Sequence, residues 1–266
     1  MNDSNNERVE LRGGRNGLIH RRGKIVIRPR SPYSNNIHLF LEKLREIGFD
    51  KCPVPQGYNE NGFEIVSLIE GEVSNYPLST SFNSMETIES AGAFLKEFHN
   101  ASELAFSKMP KDLKWLLPNR EDPEVVCHGD FAPYNAVVKD RVVIGLIDFD
   151  TAHFGKRLDD VSYGMYRWAT LFRENSPDIV GPIDIQIERA KYFCNGYELP
   201  NEERGDLIDL AIEKISDLVK FMRANARNGH QGFIENIRDG HDIGYLEDIE
   251  YLKRNRLKIE NGIVAG

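Results

Sequence analysis

The chain has few cysteines and no long apolar run, and these two shortages exclude several classes of protein. Its 266 residues include three cysteines, which stand far apart in the sequence. This spacing is neither a disulfide framework nor a zinc-binding pattern, so we expect three reduced thiols. No stretch approaches the roughly twenty apolar residues that a transmembrane helix needs. The first seven residues are polar and lack the apolar segment of a signal peptide. We therefore expect a cytoplasmic protein with no membrane partner.

The chain also lacks an excess of positive charge. Its net charge is −8, which argues against nucleic acid as the main partner. Residues 1–72 carry 11 Lys and Arg against 10 Asp and Glu, and the remainder carries 23 against 32. The acidic second part is compatible with a cationic small-molecule partner, such as an amino sugar or an amino alcohol. An acidic surface that only keeps the protein soluble is an equally good explanation.

Two acids and an amide stand where phosphoryl-transfer chemistry uses them. Asp130 and Asn135 lie five positions apart in the segment HGDFAPYN, and Asp148 begins the triplet DFD after a short hairpin. This spacing is that of the H-R-D-x-x-x-x-N catalytic loop of protein kinases. In that arrangement the first Asp accepts the proton of the acceptor hydroxyl, and the Asn and the second Asp hold magnesium on the nucleotide phosphates. Asp130 is the candidate catalytic base, and Asn135 and Asp148 are the candidate metal ligands.

Apolar runs on both sides of the loop fit this geometry. Residues 125–127 are typical of a strand end, and residues 136–147 are typical of a hairpin with a polar tip at 139–141. Such a hairpin would bring Asn135 and Asp148 together at its open end. Alternatively, HGD and DFD are ordinary turn residues, because Asp and Asn are common in turns. The ordered pair with a hairpin between favours the functional interpretation.

These motifs resemble those of the aminoglycoside phosphotransferase and choline kinase family, within the protein-kinase-like superfamily. The family has H-G-D-x-x-x-x-N and I-D-F/W-D/E, and this chain has HGDFAPYN and IDFD. The segment RLDDVSY at 157–163 is similar to the family's helix start, R-x-x-D-L-A-Y. The resemblance covers roughly two thirds of the chain. It implies transfer of the γ-phosphate of ATP or GTP to a hydroxyl of a small acceptor, with two Mg²⁺ ions. It does not specify the acceptor.

The resemblance also implies an α+β, two-lobed protein-kinase-like fold. A small N-terminal antiparallel sheet with one helix, residues 1–70, would bind the nucleotide. A larger, mostly helical lobe, residues 71–266, would carry catalysis and the acceptor site. Apolar spacing agrees, since it predicts strands at 7–12, 18–22 and 24–28 and a helix at 36–47. After residue 71 it predicts helices at 85–102, 160–172, 185–193, 202–225 and 245–259.

Two segments are candidates for the nucleotide contacts. The Gly-rich turn GGRNG would fold over the phosphates, because glycines let backbone N–H groups come close. Gly14 and Asn16 are the candidate contacts there, although a plain hairpin turn explains the same residues. The strand that ends before Gly71 resembles the family's hinge between the lobes. Ser67 and Ile69 would bond the adenine there through backbone atoms.

Arg28 departs from the family pattern. The family usually has Lys on this third strand, where it holds the α- and β-phosphates and pairs with a Glu of the following helix. Arg also binds phosphate, through two hydrogen bonds, but it is larger and differently shaped. On the helix, His38 is nearest to the place of that Glu, with Glu42 one turn later. Arg28 is therefore either a phosphate contact without the usual partner or a solvent-facing strand residue.

Four further residues have supporting or structural interpretations. The family uses His128 to seat the catalytic loop, and we do not expect it to act as a base. Asp150 would assist metal binding. Asp160 would cap its helix or bond the catalytic loop, since Asp is a good N-cap. His99, at the end of a core helix, is better explained as a packed structural histidine than as a ligand.

Two other functions remain open. The first is a nucleotide-binding module with weak or no transfer activity, which Arg28 in place of the usual Lys suggests. The second is a metal-dependent hydrolase with a dinuclear centre on Asp130, Asp148 and Asp150, which would cleave its substrate without a nucleotide. The sequence does not distinguish ATP from GTP or a monomer from a dimer.

Overall fold

The structure, a computed structural model, describes residues 8–11 and 18–264. A small antiparallel sheet with one helix precedes a mostly helical part, so the two-lobed α+β architecture expected from the sequence is confirmed. The strands are β1 (Arg8–Glu10), β2 (His20–Arg22), β3 (Ile25–Arg28), β4 (Pro55–Tyr58), β5 (Glu64–Ser67), β6 (Val125–Cys127), β7 (Ala136–Lys139), β8 (Val142–Leu146) and β9 (His153–Gly155). The helices are α1 (Ser34–Glu46), α2 (Thr80–Asn83), α3 (Met85–Ser107), α4 (Arg157–Trp168), α5 (Ile183–Tyr197), α6 (Asn201–Arg204), α7 (Leu207–Arg227), α8 (Gln231–Arg238) and α9 (His241–Val264).

The N-terminal sheet has the strand order β1-β2-β3-β5-β4, and every neighbouring pair is antiparallel. Gly23, in the tight turn between β2 and β3, has a φ of 59°, which glycine adopts without strain. In the register of β3 and β5, Arg28 stands directly opposite Glu64. Directly opposed residues of an antiparallel pair share one face of the sheet. The sheet therefore places Arg28 and Glu64 side by side at the ends of two inner strands.

Helix α1 joins the sheet to the helical part. Its apolar residues recur at helical spacing and form a buried stripe, which consists of Ile37, Phe40, Leu41 and Leu44. The ring of Phe40 packs edge-on against Phe98 of α3 and against Phe149, with ring centres 6.2 and 6.1 Å apart. The two lobes therefore share part of their core behind the DFD triplet.

A two-residue hairpin connects β7 to β8, as the sequence predicts. Asp140 and Arg141 form its tip with φ values of 51° and 63°, and a type I′ turn requires positive φ at both positions. At the open end, the Ile147 N–H donates to the carbonyl oxygen of Asn135 at 2.8 Å. This bond holds the residue before Asp148 against the end of the catalytic loop.

The C-terminal helices differ from the sequence prediction in three places. The helix predicted for 160–172 ends at Trp168, because Thr170 has a φ of 52°, which a β-branched residue rarely adopts. The helix predicted for 202–225 is two helices, α6 and α7, separated at Gly205 and Asp206. The short helix α8 has no buried residue and is not predicted. Within the described ranges, none of the helices is long and apolar enough to cross a bilayer.

Helices α3 and α5 cross at two glycines. A Cβ atom at Gly92 would lie 2.1 Å from the carbonyl oxygen of Phe193, and one at Gly196 would lie 1.9 Å from that of Glu89. Both contacts are with backbone atoms, which cannot rotate away as a side chain can. The absence of a side chain therefore sets the distance between these helices.

Gly92→Ala should destabilise the protein, although alanine favours a helix by about 1 kcal/mol. Overpacking a core costs about 1–3 kcal/mol, and the contact with rigid backbone puts this site at the upper end. We expect a net loss near 2 kcal/mol, or roughly 4–8 °C in melting temperature.

Thermal unfolding of Gly92→Ala measures this loss. The matched control is Gly232→Ala in α8, where a Cβ meets nothing within 4 Å. The control should melt at or slightly above the parent temperature. Equal melting temperatures for the two variants would contradict the packing argument.

Candidate active site

The candidate base lies in the loop that follows β6. The Tyr134 hydroxyl donates to Oδ1 of Asp130 at 2.7 Å, and Nδ2 of Asn135 donates to Oδ2 at 3.0 Å. Nδ2 of Asn135 also donates to the Asp130 carbonyl oxygen at 3.0 Å. Burial raises the pKa of Asp130, and the hydrogen bond from Tyr134 offsets only part of that rise. The structure therefore brings Asp130 and Asn135 together and makes Asp130 more basic than an exposed Asp.

Asp160 holds the backbone of this loop. Its two carboxylate oxygens accept from the N–H groups of His128, at 2.6 Å, and Gly129, at 2.8 Å. Burial would raise the pKa of Asp160, but the hydrogen bond and charge of His99 outweigh it and leave the pKa well below its ordinary value. Of the two roles expected for Asp160, the geometry gives the bond to the loop. Asp159 makes the capping contact, by accepting from the Lys156 N–H at 3.0 Å.

His128 joins the two sequence motifs. Its Nε2 contacts the carbonyl oxygen of Ile147 at 2.9 Å, and its Nδ1 lies 3.3 Å from the Asp130 N–H. Its ring packs edge-on against Phe149, with centres 4.8 Å apart. Both ring nitrogens are engaged, so the contacts match the supporting role expected for this residue. His99 packs in the core, where its Nδ1 lies 2.8 Å from the Tyr197 hydroxyl.

Arg28 points into the site rather than into solvent, and only 13% of its side chain is exposed. Its Nε donates to Glu64 at 2.5 Å, its Nη1 to Asp148 at 2.9 Å and its Nη2 to Asp150 at 2.5 Å. Burial alone would lower the pKa of Arg28, but the three acids raise it above its ordinary value. The alternative of a solvent-facing strand residue is therefore wrong.

Glu64 is the partner of Arg28, and the sequence reasoning missed it. Its second carboxylate oxygen lies 2.5 Å from Nε2 of His38, whose ring stacks on Tyr58. Burial would raise the pKa of Glu64, but His38 and Arg28 together hold it below its ordinary value. Glu42 is exposed, so the acid comes from a strand and not from α1. The pairing of β3 with β5, which sets the buried Glu64 directly opposite Arg28, is the feature that identifies this partner.

A cleft of about 790 Å³ lies between the sheet and the catalytic segments. Its lining includes both candidate hinge residues, Ser67 and Ile69. Several of the polar residues described above also line it, namely Arg28, Glu64, Tyr134, Asn135 and Asp148. The Ser67 N–H already donates to the carbonyl oxygen of Val54 at 2.9 Å. Gly14 and Asn16 lie outside the described residues.

The donor set fits magnesium held jointly with a nucleotide. The Asn135 amide and the Asp148 carboxylate line one cleft and offer the oxygen ligands that Mg²⁺ takes. In residues 8–11 and 18–264, no group of three or more His, Cys, Asp and Glu side chains is arranged to hold a metal ion. Mg²⁺ usually binds one or two carboxylates together with substrate phosphates. A dinuclear hydrolase centre would need the larger cluster.

Comparisons with known proteins match the segment of the chain that contains this site. Residues 108–207 match the model of a family described as the phosphotransferase enzyme family. The match includes the candidate base and both candidate metal ligands. The trifolitoxin immunity protein of Rhizobium leguminosarum bv. trifolii is 29% identical over 218 residues, which cover 78% of this chain and 80% of that protein.

Solved structures share the fold. A choline/ethanolamine kinase family protein from Mesorhizobium loti has a TM-score of 0.65 at 13% identity, and the match covers 98% of this chain and 93% of that one. The amicoumacin kinase hAmiN, in complex with AMP-PNP, Ca²⁺ and Ami, has a TM-score of 0.62 at 14% identity, with 96% and 88% covered. The chain therefore shares its overall fold with these two proteins, and residues 108–207 match the phosphotransferase enzyme family.

Proposed function

We propose that this chain transfers the γ-phosphoryl group of ATP or GTP to a hydroxyl of a small acceptor. The observation that carries the proposal is that Asn135, which is hydrogen-bonded to Asp130, lines one cleft together with Asp148 and Arg28. Phosphoryl transfer depends on positioning and charge neutralisation rather than on covalent chemistry by the protein. Asp130, held by the cleft residue Asn135, would supply the positioning, and Arg28 in the cleft lining would supply the positive charge.

Asp130 would act as the base. The Tyr134 hydroxyl donates to Oδ1 of Asp130, and the acceptor hydroxyl would take its place. Oδ1 would then receive the acceptor proton as the hydroxyl oxygen bonds the γ-phosphorus, and the bond from that phosphorus to the β–γ bridging oxygen would break and release the nucleoside diphosphate. A carboxylate with a raised pKa accepts this proton more readily than an ordinary Asp does. Asn135 would keep the carboxylate oriented through its bond to Oδ2.

The nucleotide would lie in the cleft with its phosphates at Arg28. A guanidinium binds two phosphate oxygens at once, so the phosphates would replace Asp148 and Asp150 on Arg28. Asn135 and the freed Asp148 would hold Mg²⁺, with Asp150 assisting, and the bound ion neutralises charge on the phosphates. The Ile69 backbone would contact the purine ring of the nucleotide, because none of the described residues accepts a hydrogen bond from the Ile69 N–H group. Ser67, Gly14 and Asn16 remain proposed contacts.

A screen for acceptor-dependent nucleotide consumption tests the proposal. The compounds should include hydroxy acids, amino alcohols, sugars and aminoglycosides. Toxins that bear hydroxyls belong in the same screen, because the curated relative is named as an immunity protein. A nucleotide-binding module without transfer activity would bind Mg-ATP or Mg-GTP but consume neither with any acceptor.

Asp130→Asn should lower turnover by roughly 10²–10⁴-fold, the contribution of a general base, and should leave nucleotide affinity near the parent value. Steady-state rates and calorimetric titration measure the two quantities. Asp140→Asn makes the same chemical change at the exposed hairpin tip and should match the parent. Near-parent turnover in Asp130→Asn would show that another group is the base.

Asp148→Asn should weaken Mg²⁺-dependent nucleotide binding by at least about tenfold, since changes at metal sites commonly cost this much. Asparagine suits the test because Asp148 has a φ of 60°, which Asn tolerates as well as Asp does. Titration of Mg-ATP and of ATP with a chelator separates the metal-dependent part. Equal Mg-ATP affinities of parent and variant would place the metal elsewhere.

Arg28→Ala should weaken nucleotide binding by roughly 10- to 100-fold, which is the range for a hydrogen bond to a charged group. Arg28→Lys should recover less than half of the lost binding free energy. A single ammonium cannot donate to Glu64 and to two phosphate oxygens in the geometry that the planar guanidinium allows.

Titration calorimetry with Mg-ATP measures these affinities. Arg45→Ala removes an exposed positive charge of α1 and serves as the control, with unchanged affinity. If Arg28→Ala bound nucleotide as tightly as the parent, the phosphate-binding cation would be another residue.

A further inference from the structure

A buried arginine lies near the candidate base without a carboxylate partner. Arg167 stands two helical turns after Asp160 on α4, the helix that holds the catalytic loop. Only 8% of Arg167 is exposed. Its guanidinium forms no ion pair with any acid in the described parts of the chain, and its Nε has no hydrogen-bond partner there. A buried charge without a partner is costly, so another interaction must compensate.

Aromatic rings surround this guanidinium. The distances from Cζ of Arg167 to the ring centres are 4.6 Å for Tyr76, 5.2 Å for Phe172, 5.4 Å for Tyr134 and 5.7 Å for Tyr166. Ring faces stabilise a desolvated cation. They do not replace the paired oxygen acceptors that a guanidinium binds best. The rings therefore keep the positive charge in place without satisfying it.

The terminal nitrogens of two other buried arginines donate to oxygen acceptors within the protein, although Nε of Arg189, like that of Arg167, has no partner among the described residues. Arg189 donates to two backbone carbonyl oxygens, at 3.1 and 2.9 Å. Arg204 donates to two carbonyl oxygens and to one side-chain amide oxygen. These two residues bind chain segments together. Among the described residues, no carbonyl or carboxylate oxygen accepts from the terminal nitrogens of Arg167, whose side chain has the Tyr76 hydroxyl as a hydrogen-bond partner. The guanidinium therefore keeps donors for an anionic ligand.

Tyr134 connects Arg167 to the base. Its ring contacts the guanidinium, and its hydroxyl donates to Oδ1 of Asp130. Burial raises the pKa of Asp130, and Tyr134 and the charge of Arg167 pull it part of the way back. The nucleotide cleft reaches Tyr134 and the neighbouring Asn75. An acceptor that replaces the Tyr134 hydroxyl at Asp130 would lie beside the ring that contacts the guanidinium, with Cζ of Arg167 5.4 Å from the ring centre.

We propose that Arg167 binds an anionic group of the acceptor, so that the substrate is a hydroxy compound with a carboxylate or a phosphate close to the reacting hydroxyl. The inference rests on the phosphotransfer function proposed above. A guanidinium binds either anion through two parallel hydrogen bonds, and its charge offsets the repulsion between that anion and Asp130. The acidic second part of the sequence is compatible with a cationic acceptor. Close to Asp130, however, the positive charge of Arg167 favours an acceptor with an anionic group.

Kinetics with matched acceptors test the proposal. Hydroxy acids are compared with their amides, phosphate-bearing alcohols with the parent alcohols, and both sets with amino alcohols. We expect kcat/KM to be about 10- to 100-fold higher for an anion than for its neutral counterpart, the range for a hydrogen bond to a charged group. The pair with the larger ratio identifies carboxylate or phosphate as the bound group.

Two substitutions at Arg167 locate this preference. Arg167→Met keeps the volume without the charge and should raise KM for the anionic acceptor by a similar factor, with KM for the nucleotide unchanged. Arg167→Lys keeps the charge without the fork and should raise that KM at least about threefold. Arg204→Met removes a buried structural arginine and should leave the preference unchanged.

Ligand binding, measured by melting temperature, distinguishes a failure of this inference from a failure of the proposed function. Anions should raise the melting temperature of Asp130→Asn and should not do so once Arg167→Met is added, whether or not any acceptor is phosphorylated. Equal kcat/KM values for neutral or amino compounds and for anions would overturn the inference, and so would the absence of stabilisation by any anion. In either case the turnover measurements would still decide whether the protein is a phosphotransferase. If Arg167→Met does not fold, an unchanged KM for anions in Arg167→Lys would overturn it.

Discussion

The contact of one guanidinium with three carboxylates organises this site. Arg28 comes from the small sheet, as does Glu64, whereas Asp148 and Asp150 come from the catalytic segment. Three acids around one arginine leave the cluster with a net negative charge. Such a cluster attracts a divalent cation, and the guanidinium attracts phosphate. A metal–nucleotide complex would exchange partners with the cluster, because the metal would bind carboxylate oxygens and the phosphates would bind the guanidinium.

The catalytic loop is fixed on the other side of the cleft. Asp160 accepts two backbone N–H groups of the loop, and His128 bonds the strand that leads to Asp148. Gly129 has a φ of 82°, and a Cβ there would lie 2.4 Å from the Thr151 carbonyl oxygen, so the loop tolerates only glycine at this point. The candidate base therefore stands on a rigid support, with Arg167 on the same helix as Asp160. One helix thus connects the position of the candidate base to the charge at the proposed acceptor site.

The sequence predicts the parts of the site that depend on local spacing. HGDFAPYN, the hairpin and IDFD are close in the chain, so the junction of Asn135 with the segment before Asp148 follows from turn geometry. The partner of Arg28 does not follow, because Glu64 reaches it through the register of two strands 36 residues apart. Arg167 does not follow either, since its aromatic surroundings come from three separate segments of the chain. Long-range packing of this kind leaves no periodic signal.

Phosphorus NMR of the products is the most direct measurement of the central claim. The parent protein, with Mg²⁺, ATP or GTP and an accepted hydroxy compound, should yield a new phosphomonoester resonance in equal amount to the nucleoside diphosphate. The resonance should be absent when the acceptor is omitted. Formation of inorganic phosphate alone, at the same rate with and without the acceptor, would contradict transfer to a hydroxyl.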